Sequence, residues 1–123
     1  MPYIPLDQIK VYQLSTEYSD SSWNIYKEFD WQIKKIIGDQ FIRSVDSVSA
    51  NIAEGYGRYH YLDRIKFYYN SRGSLFESKH WIDSLFKRKF INQQKYFDLA
   101  KKYKEIQINL NALINSTYQS KNK

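Results

Sequence analysis

The chain has 123 residues, the size of a single domain, with ordinary shares of apolar (42 %) and charged (26 %) residues. Glycine and proline are scarce, which argues against an all-β fold and against disorder. The absence of cysteine excludes a disulfide scaffold, a thiolate zinc site and a cysteine nucleophile. Two values are unusual: aromatic residues reach 18 %, and the net charge is +6.

Neither an export signal nor a membrane span is predicted. The N-terminus lacks a basic segment followed by an apolar one, and no apolar run reaches the roughly 18 residues of a membrane helix. We therefore expect a cytoplasmic protein that does not bind a membrane.

Apolar residues recur every three or four positions and predict four helices. The first covers about 6–29, with Pro5 suited to its first turn, and the second covers about 33–55. The third covers 61–87, and the fourth covers 93–115 behind Asn92 as N-cap, followed by a frayed tail over 116–123. Short connections between long helices predict one domain, an all-α, antiparallel up-down four-helix bundle over 1–123.

The glycines carry predictions about the helices. The second helix is predicted to stop within the segment 54–58, where a glycine, Gly55 or Gly57, suits the left-handed conformation that often ends a helix. Gly38 should weaken the start of the same helix by about 1 kcal/mol relative to alanine. Gly73, followed by Ser74 in the third helix, should let another helix approach closely.

No pattern indicates catalysis or a cofactor. Glu77 and His80 form a Glu-x-x-His unit, but a di-iron bundle needs two such units, and His60 has no matching carboxylate. We therefore predict no metal site. With two histidines and no cysteine, the chain also offers few general bases near neutral pH. An enzyme that uses Glu54 or Glu77 stays open as a third hypothesis and would need a deep pocket around those carboxylates.

Charge is distributed unevenly along the chain. Residues 1–60 contain six Lys or Arg against eight Asp or Glu, whereas residues 61–123 contain thirteen against five. Such a basic half indicates a polyanionic partner, RNA or DNA, although a solvated surface is the alternative. The candidate nucleic-acid residues are Arg64, Lys66, Lys87, Arg88, Lys89, Lys101, Lys102 and Lys104.

The aromatic residues exceed what one small core needs. Tyr and Trp are enriched where one protein surface is buried against another, and the first and third helices each carry a second apolar stripe. We therefore predict a homo-oligomer, with Trp23, Tyr26, Tyr68 and Tyr69 as candidate interface residues. The alternative is that these side chains are singly and harmlessly exposed.

Two segments resemble the signature of the bacterial four-helix bundle proteins encoded in intervening sequences of 23S rRNA genes. They are SVSANIAEGYGR at 47–58 and RGSLFE at 72–77, and the resemblance extends over about 6–115. Two departures from the family pattern, Ser49 in place of a frequent proline and a longer 21–29 segment, would alter subunit packing. The matching residues are Ser47, Asn51, Ile52, Ala53, Glu54, Gly55, Gly57, Arg58, Arg72, Gly73, Ser74 and Glu77.

The resemblance implies a homopentamer but no known activity. A related branch, the accessory protein of diversity-generating retroelements, is similar in fold and pentameric form, is basic, and works with a reverse transcriptase and nucleic acid. From the residues themselves, Ser47, Asn51 and Glu54 share one helix face, where Asn51 and Glu54 could bond backbone groups, Arg58 or Arg72. This face could serve helix packing or a ligand.

Two hypotheses follow from the sequence. The first is a non-enzymatic homo-oligomer that contacts RNA or DNA, alone or alongside a partner protein. The second is a purely structural assembly module without nucleic-acid binding.

Overall fold

The computed structural model describes residues 4–120 and contains four long helices. A 3₁₀ turn, Leu6–Gln8, precedes α1, Lys10–Tyr26. Helix α2 is continuous over 31–56: an α-helical turn Trp31–Ile33, a π-helical segment Lys34–Gly38, and the α-helix Asp39–Tyr56. Helices α3 and α4 span Tyr61–Lys87 and Gln93–Gln119. The described residues contain no strand, and the predicted all-α class is confirmed.

The first helix is shorter than predicted at both ends. Ile9 has an extended conformation (φ −77°, ψ 122°), which separates the 3₁₀ turn from α1. At the other end, Asp30 is extended as well, and its Oδ1 accepts a hydrogen bond of 2.9 Å from the Ile33 amide. Because this cap starts a new helix at Trp31, the predicted boundaries at 29 and 33 were wrong by a few residues.

The second helix ends without a left-handed glycine. Gly55 lies inside α2, is buried, and is so close to α3 that an added Cβ would lie 2.8 Å from Tyr68 Cε1. Gly57 has a φ of −78°, and in the described residues the positive φ belongs to Lys89 (64°), in the turn after α3. The predicted left-handed glycine at this helix end was therefore wrong, and at Gly55 tertiary packing, not chain reversal, excludes a side chain.

The fourth helix continues beyond its predicted end at 115. Thr117 is buried and donates a hydrogen bond of 2.7 Å to the Leu113 carbonyl, so the apolar face of α4 lasts another turn. Helix α4 starts where predicted, with Asn92 Oδ1 accepting from the Lys95 amide at 2.8 Å. Of the predicted frayed tail, 116–119 are helical, and 121–123 lie outside the described residues.

Each helix packs on its neighbours in a four-membered cycle, α1–α2–α3–α4 and back to α1. The bundle thus has two layers, the α1–α2 pair and the α3–α4 pair. Tyr18 and Tyr68 are the largest fully buried side chains. The Tyr18 hydroxyl lies 2.7 Å from Ser78 Oγ, and this contact links α1 to α3 across the core.

Burial of Tyr68 overturns its prediction as a subunit-interface residue. Its side chain is only 1 % exposed and packs against Gly55. The neighbouring Tyr69, which is 100° away on the helix, takes the outward position instead.

Candidate functional site

The signature residues form a polar line along the groove between α2 and α3. Ser47 Oγ and Ser74 Oγ are 2.8 Å apart and join the two helices. Asn51 Nδ2 donates to both the carbonyl and the hydroxyl oxygen of Ser47, each at 2.9 Å. Because Asn51 donates to the Ser47 hydroxyl, that hydroxyl is free to donate to Ser74. The three side chains therefore act as a polar clamp between the helices.

The ends of this groove carry the signature carboxylates. Glu54 pairs with Arg58 at 3.4 Å, with both side chains about half exposed, and the Arg58 guanidinium lies 4.8 Å from the centre of the Phe67 ring. Glu77 Oε2 accepts a hydrogen bond of 3.0 Å from Trp81 Nε1. The expected contact between Glu54 and Arg58 is confirmed. Both carboxylates are exposed, in contrast to the deep pocket that the enzyme hypothesis requires.

A shallow cleft of about 230 Å³ opens beside the clamp. It is lined by Gln40, Arg43, Ser44, Ser47, Ser74 and Glu77. Its rim carries one guanidinium and one carboxylate, and within residues 4–120 Arg43 makes no ion pair. The cleft can offer hydrogen bonds to a polar group at the surface.

Arg72 lies outside this groove, although it belongs to the second signature segment. Its Nη1 donates to Asn111 Oδ1 on α4 at 3.3 Å, and its guanidinium lies 5.0 Å from the Tyr69 ring centre and 5.9 Å from that of Phe76. Of the partners considered for Asn51 and Glu54, a backbone carbonyl (that of Ser47) and Arg58 are the ones bound, and Arg72 is bonded to Asn111 instead. Arg72 and Ser74 are two residues apart and therefore lie on nearly opposite sides of the helix, so they face different neighbours.

The two signature glycines also have different surroundings. An added Cβ at Gly55 would meet Tyr68 and Phe67, whereas one at Gly73 would meet no atom within 4 Å. Within the chain, the close helix approach predicted at Gly73 thus occurs at Gly55 instead. Gly73 lies at the surface and leaves a gap in the outer face of α3.

Six of the eight candidate nucleic-acid residues are exposed cations for which residues 4–120 supply no ion pair: Lys66, Lys87, Arg88, Lys89, Lys101 and Lys104. Lys102 pairs with Asp98 at 2.8 Å, and Arg64 Nε donates to the Arg58 carbonyl at 2.7 Å. The six do not converge on one patch, because the 21 residues from Lys66 to Lys87 correspond to about 32 Å of helix. Three of them are consecutive in the α3–α4 turn.

The predicted interface aromatics lie on two different faces. Trp23 is exposed on α1 and stacks on Tyr26 with ring centres 5.4 Å apart. The Tyr26 hydroxyl donates to Asp39 Oδ1 at 2.6 Å, and this hydrogen bond raises the pKa of Tyr26. Tyr69 is exposed on α3, in the opposite layer.

The list of predicted interface residues missed several other exposed apolar side chains, among them Trp31 and Ile36 on α2, Leu62 and Phe76 on α3, and Phe97 and Ile108 on α4. A detectable signal existed for α3, since Leu62, Tyr69 and Phe76 are seven residues apart and therefore lie on one helix face.

The Glu-x-x-His unit is occupied by contacts with a tryptophan. The Trp81 indole donates to Glu77, and the His80 ring contacts it edge-on, with ring centres 4.7 Å apart. Across residues 4–120, no group of three or more His, Cys, Asp or Glu side chains is placed to hold a metal ion.

No helix in this part of the chain combines the length and the apolar character that a membrane span needs.

The geometry defines a basic four-helix bundle with a polar clamp between α2 and α3 and exposed aromatic side chains on both layers. Residues 7–112 match the family model described as 23S rRNA-intervening sequence protein, and the chain belongs to this family.

A solved structure supports the same fold. The chain is similar to a crystal structure of a protein of unknown function from the S23 ribosomal protein family of Bacteroides thetaiotaomicron. The TM-score is 0.79 at 25 % identity, and the match covers 85 % of this chain and 97 % of that one. A comparison with curated proteins finds no match.

Proposed function

We propose that this protein is a non-enzymatic, cytoplasmic homo-oligomer, a pentamer as the family resemblance implies, that binds RNA or DNA through the α3–α4 turn. The observation that carries the proposal is the cluster of Lys87, Arg88 and Lys89. All three side chains are exposed, and none forms an ion pair within residues 4–120.

The turn holds these cations in a fixed backbone geometry. The Phe90 amide donates to the Leu85 carbonyl at 2.9 Å, the Lys89 amide donates to the Phe86 carbonyl at 3.0 Å, and Lys89 has a φ of 64°. Unpaired cations are suited to phosphate, because each phosphate they neutralise releases condensed counterions. The contacts are to the backbone, so we expect little sequence preference.

Oligomerisation raises the affinity of a surface that binds nucleic acid weakly in one copy. One turn offers three cations, but a ring of copies presents one turn per subunit to the same polymer. After the first contact, each further contact is intramolecular, and the apparent affinity rises without new chemistry.

The test is a titration of labelled single-stranded RNA and duplex DNA at several salt concentrations between about 50 and 200 mM. The triple variant K87A/R88A/K89A should bind more weakly. The slope of log affinity against log salt should also shrink, by about 0.9 per lost phosphate contact on duplex DNA and about 0.7 on single strands. The control variant K10A/K27A/K35A removes three exposed lysines from the less basic half and should bind as the wild type does. Absence of binding at low salt would refute the nucleic-acid part of the proposal.

The exposed aromatics favour a second candidate, a structural assembly module that binds only itself and a partner protein. It predicts the same oligomer in light scattering but indifference to nucleic acid at every salt concentration. A monomer at micromolar concentration would contradict both candidates.

A further inference from the structure

We infer that copies of this chain associate through two different faces, with the α3–α4 face of one copy packed on the α1–α2 face of the next. The inference rests on the proposed homo-oligomer and specifies its contact. Four observations carry it: an apolar stripe, a gap within that stripe, a second apolar surface in the opposite layer, and unpaired charges of opposite sign.

The apolar stripe lies along the outer side of α3 and α4. Leu62, Tyr69 and Phe76 recur every seven residues on α3, and Ile108 is exposed on α4. Leu62 and Ile108 are 61 % and 60 % exposed, values at which a large aliphatic side chain gains substantially from burial. Exposed apolar side chains grouped on one side of a bundle are typical of an interaction site.

Gly73 makes a gap in this stripe. Tyr69, Arg72, Gly73 and Phe76 have the spacing i, i+3, i+4 and i+7, the diamond of residues that receives a side chain in knobs-into-holes packing. The glycine deepens this hole, because even an added Cβ would meet no atom within 4 Å. Arg72 is braced by Asn111, which is bonded at 3.3 Å. The chain therefore has a preformed surface depression at Gly73, the seat, that can receive a large side chain.

The α1–α2 layer offers side chains that could occupy such a seat. Trp31 is 70 % exposed, and Trp23 and Ile36 are also exposed. Residues 4–120 leave these large apolar groups uncovered. Tryptophan is among the residues most enriched at the energetic centres of interfaces.

The charges on the two layers indicate that a second copy of this chain packs on the α3–α4 face. Lys101 and Lys104 are exposed on α4, and Asp20 and Asp46 are exposed on α1 and α2. None of the four forms an ion pair within residues 4–120. If two α3–α4 faces packed on each other, lysine would oppose lysine, and like charges in an interface are unfavourable. The α1–α2 layer is slightly acidic as a whole, with seven Asp or Glu against five Lys or Arg over residues 10–56, whereas the α3–α4 layer has five against eleven over residues 61–119. Contact between the two layers therefore brings together faces of opposite net charge, and such a heterologous contact closes into a ring when the rotation between copies allows it.

The test is a charge swap monitored by light scattering and sedimentation. K101E/K104E and D20K/D46K should each weaken association by about tenfold or more, because each makes the two contacting faces alike. The combined variant with all four substitutions should associate as the wild type does. If D20K/D46K assembles normally, or if the combined variant does not recover, the inference is wrong. If the wild type itself is a monomer, the proposed homo-oligomer fails as well, so the two failures are distinguishable.

A second pair of variants tests the seat independently of charge. Gly73→Leu fills the gap on the proposed contact, whereas Asn70→Leu adds a leucine at an exposed position on the α2 side of the same helix. Gly73→Leu should weaken association by about tenfold or more, while Asn70→Leu should leave it unchanged. Equal effects of the two variants, or none from either, would overturn the inference. Circular dichroism verifies that both variants remain folded.

Discussion

Replacing Gly55 and Gly73 by alanine, one at a time, should change the stability of the isolated chain in opposite directions. Both glycines lie within helices, so alanine improves the intrinsic helix propensity at each position by up to about 1 kcal/mol. They differ in the space around the added methyl group. At Gly55 it would lie 2.8 Å from Tyr68 Cε1 and 3.0 Å from Phe67 Cβ, whereas at Gly73 it meets nothing within 4 Å.

These distances set the expected magnitudes. Overpacking a well-filled core costs about 1–3 kcal/mol, and the Phe67 Cβ atom cannot rotate away because it is attached to the α3 backbone. After the gain in propensity, Gly55→Ala should lose about 1 kcal/mol. Gly73→Ala should gain about 0.5–1 kcal/mol. With an unfolding entropy of about 2.1 cal/mol/K per residue, 1 kcal/mol corresponds to about 4 °C for this chain length.

Thermal unfolding followed by circular dichroism measures both shifts. The protein concentration should be low enough that light scattering finds dissociated chains, so that subunit contacts at Gly73 do not contribute. We expect a lower Tm for Gly55→Ala and a higher Tm for Gly73→Ala. Equal shifts in the two variants would refute the assignment of Gly55 to a close helix contact and of Gly73 to open surface.

Three further predictions concern the core and one helix end. Tyr18→Phe should lower the free energy of unfolding by about 1 kcal/mol in urea titrations, because Ser78 loses a buried partner at 2.7 Å. Burial raises the pKa of Tyr68 to about 12, so its stabilising contribution is complete below pH ~10 and is lost as the pH rises toward 12. Tyr68→Phe should therefore unfold with a weaker pH dependence than the wild type between pH ~10 and ~12 in urea titrations. Asn92→Ala removes the cap of α4, whose side chain accepts from the Lys95 amide, and should cost about 1 kcal/mol in thermal unfolding, whereas Asn92→Asp should not.

The sequence predicts the number of helices and the core, because helical periodicity reports directly which side of each helix is buried. It predicts helix ends less well. Asp30 was not recognised as a cap, although a residue of its type often starts a helix. The π-helical segment Lys34–Gly38 gave no signal in the apolar spacing, and neither did the close approach at its last residue, where a Cβ on Gly38 would lie 3.2 Å from Phe29 Cδ2.

Part of the candidate site was predicted from the same helical periodicity that predicted the core. Helical spacing places Ser47, Asn51 and Glu54 on one face, and the structure confirms a bond from Asn51 to a backbone carbonyl and the Glu54–Arg58 pair. The Ser47–Ser74 contact between the helices was not predicted. Which neighbour faces Gly55 cannot be read from spacing, because a glycine can serve a turn or a close contact. The choice between Tyr68 and Tyr69 was equally open, since adjacent residues in a helix differ by only 100°.

The two signature segments serve two separate tasks in the structure. Ser47, Asn51 and Ser74 hold α2 against α3, and Gly55 lets the helices approach. This internal contact makes no use of the open space beside Gly73.

Arg72 is likewise not part of the α2–α3 clamp. Its side chain is turned toward α4 and lies between two exposed aromatic rings. A guanidinium stacked on aromatic rings and bonded to an amide is a rigid, partly desolvated surface, which loses less side-chain entropy on association than a free lysine would. Arg72 and Gly73 together therefore supply what the proposed subunit contact needs, a braced side chain beside an open surface position, while the remainder of the signature maintains the bundle that positions them.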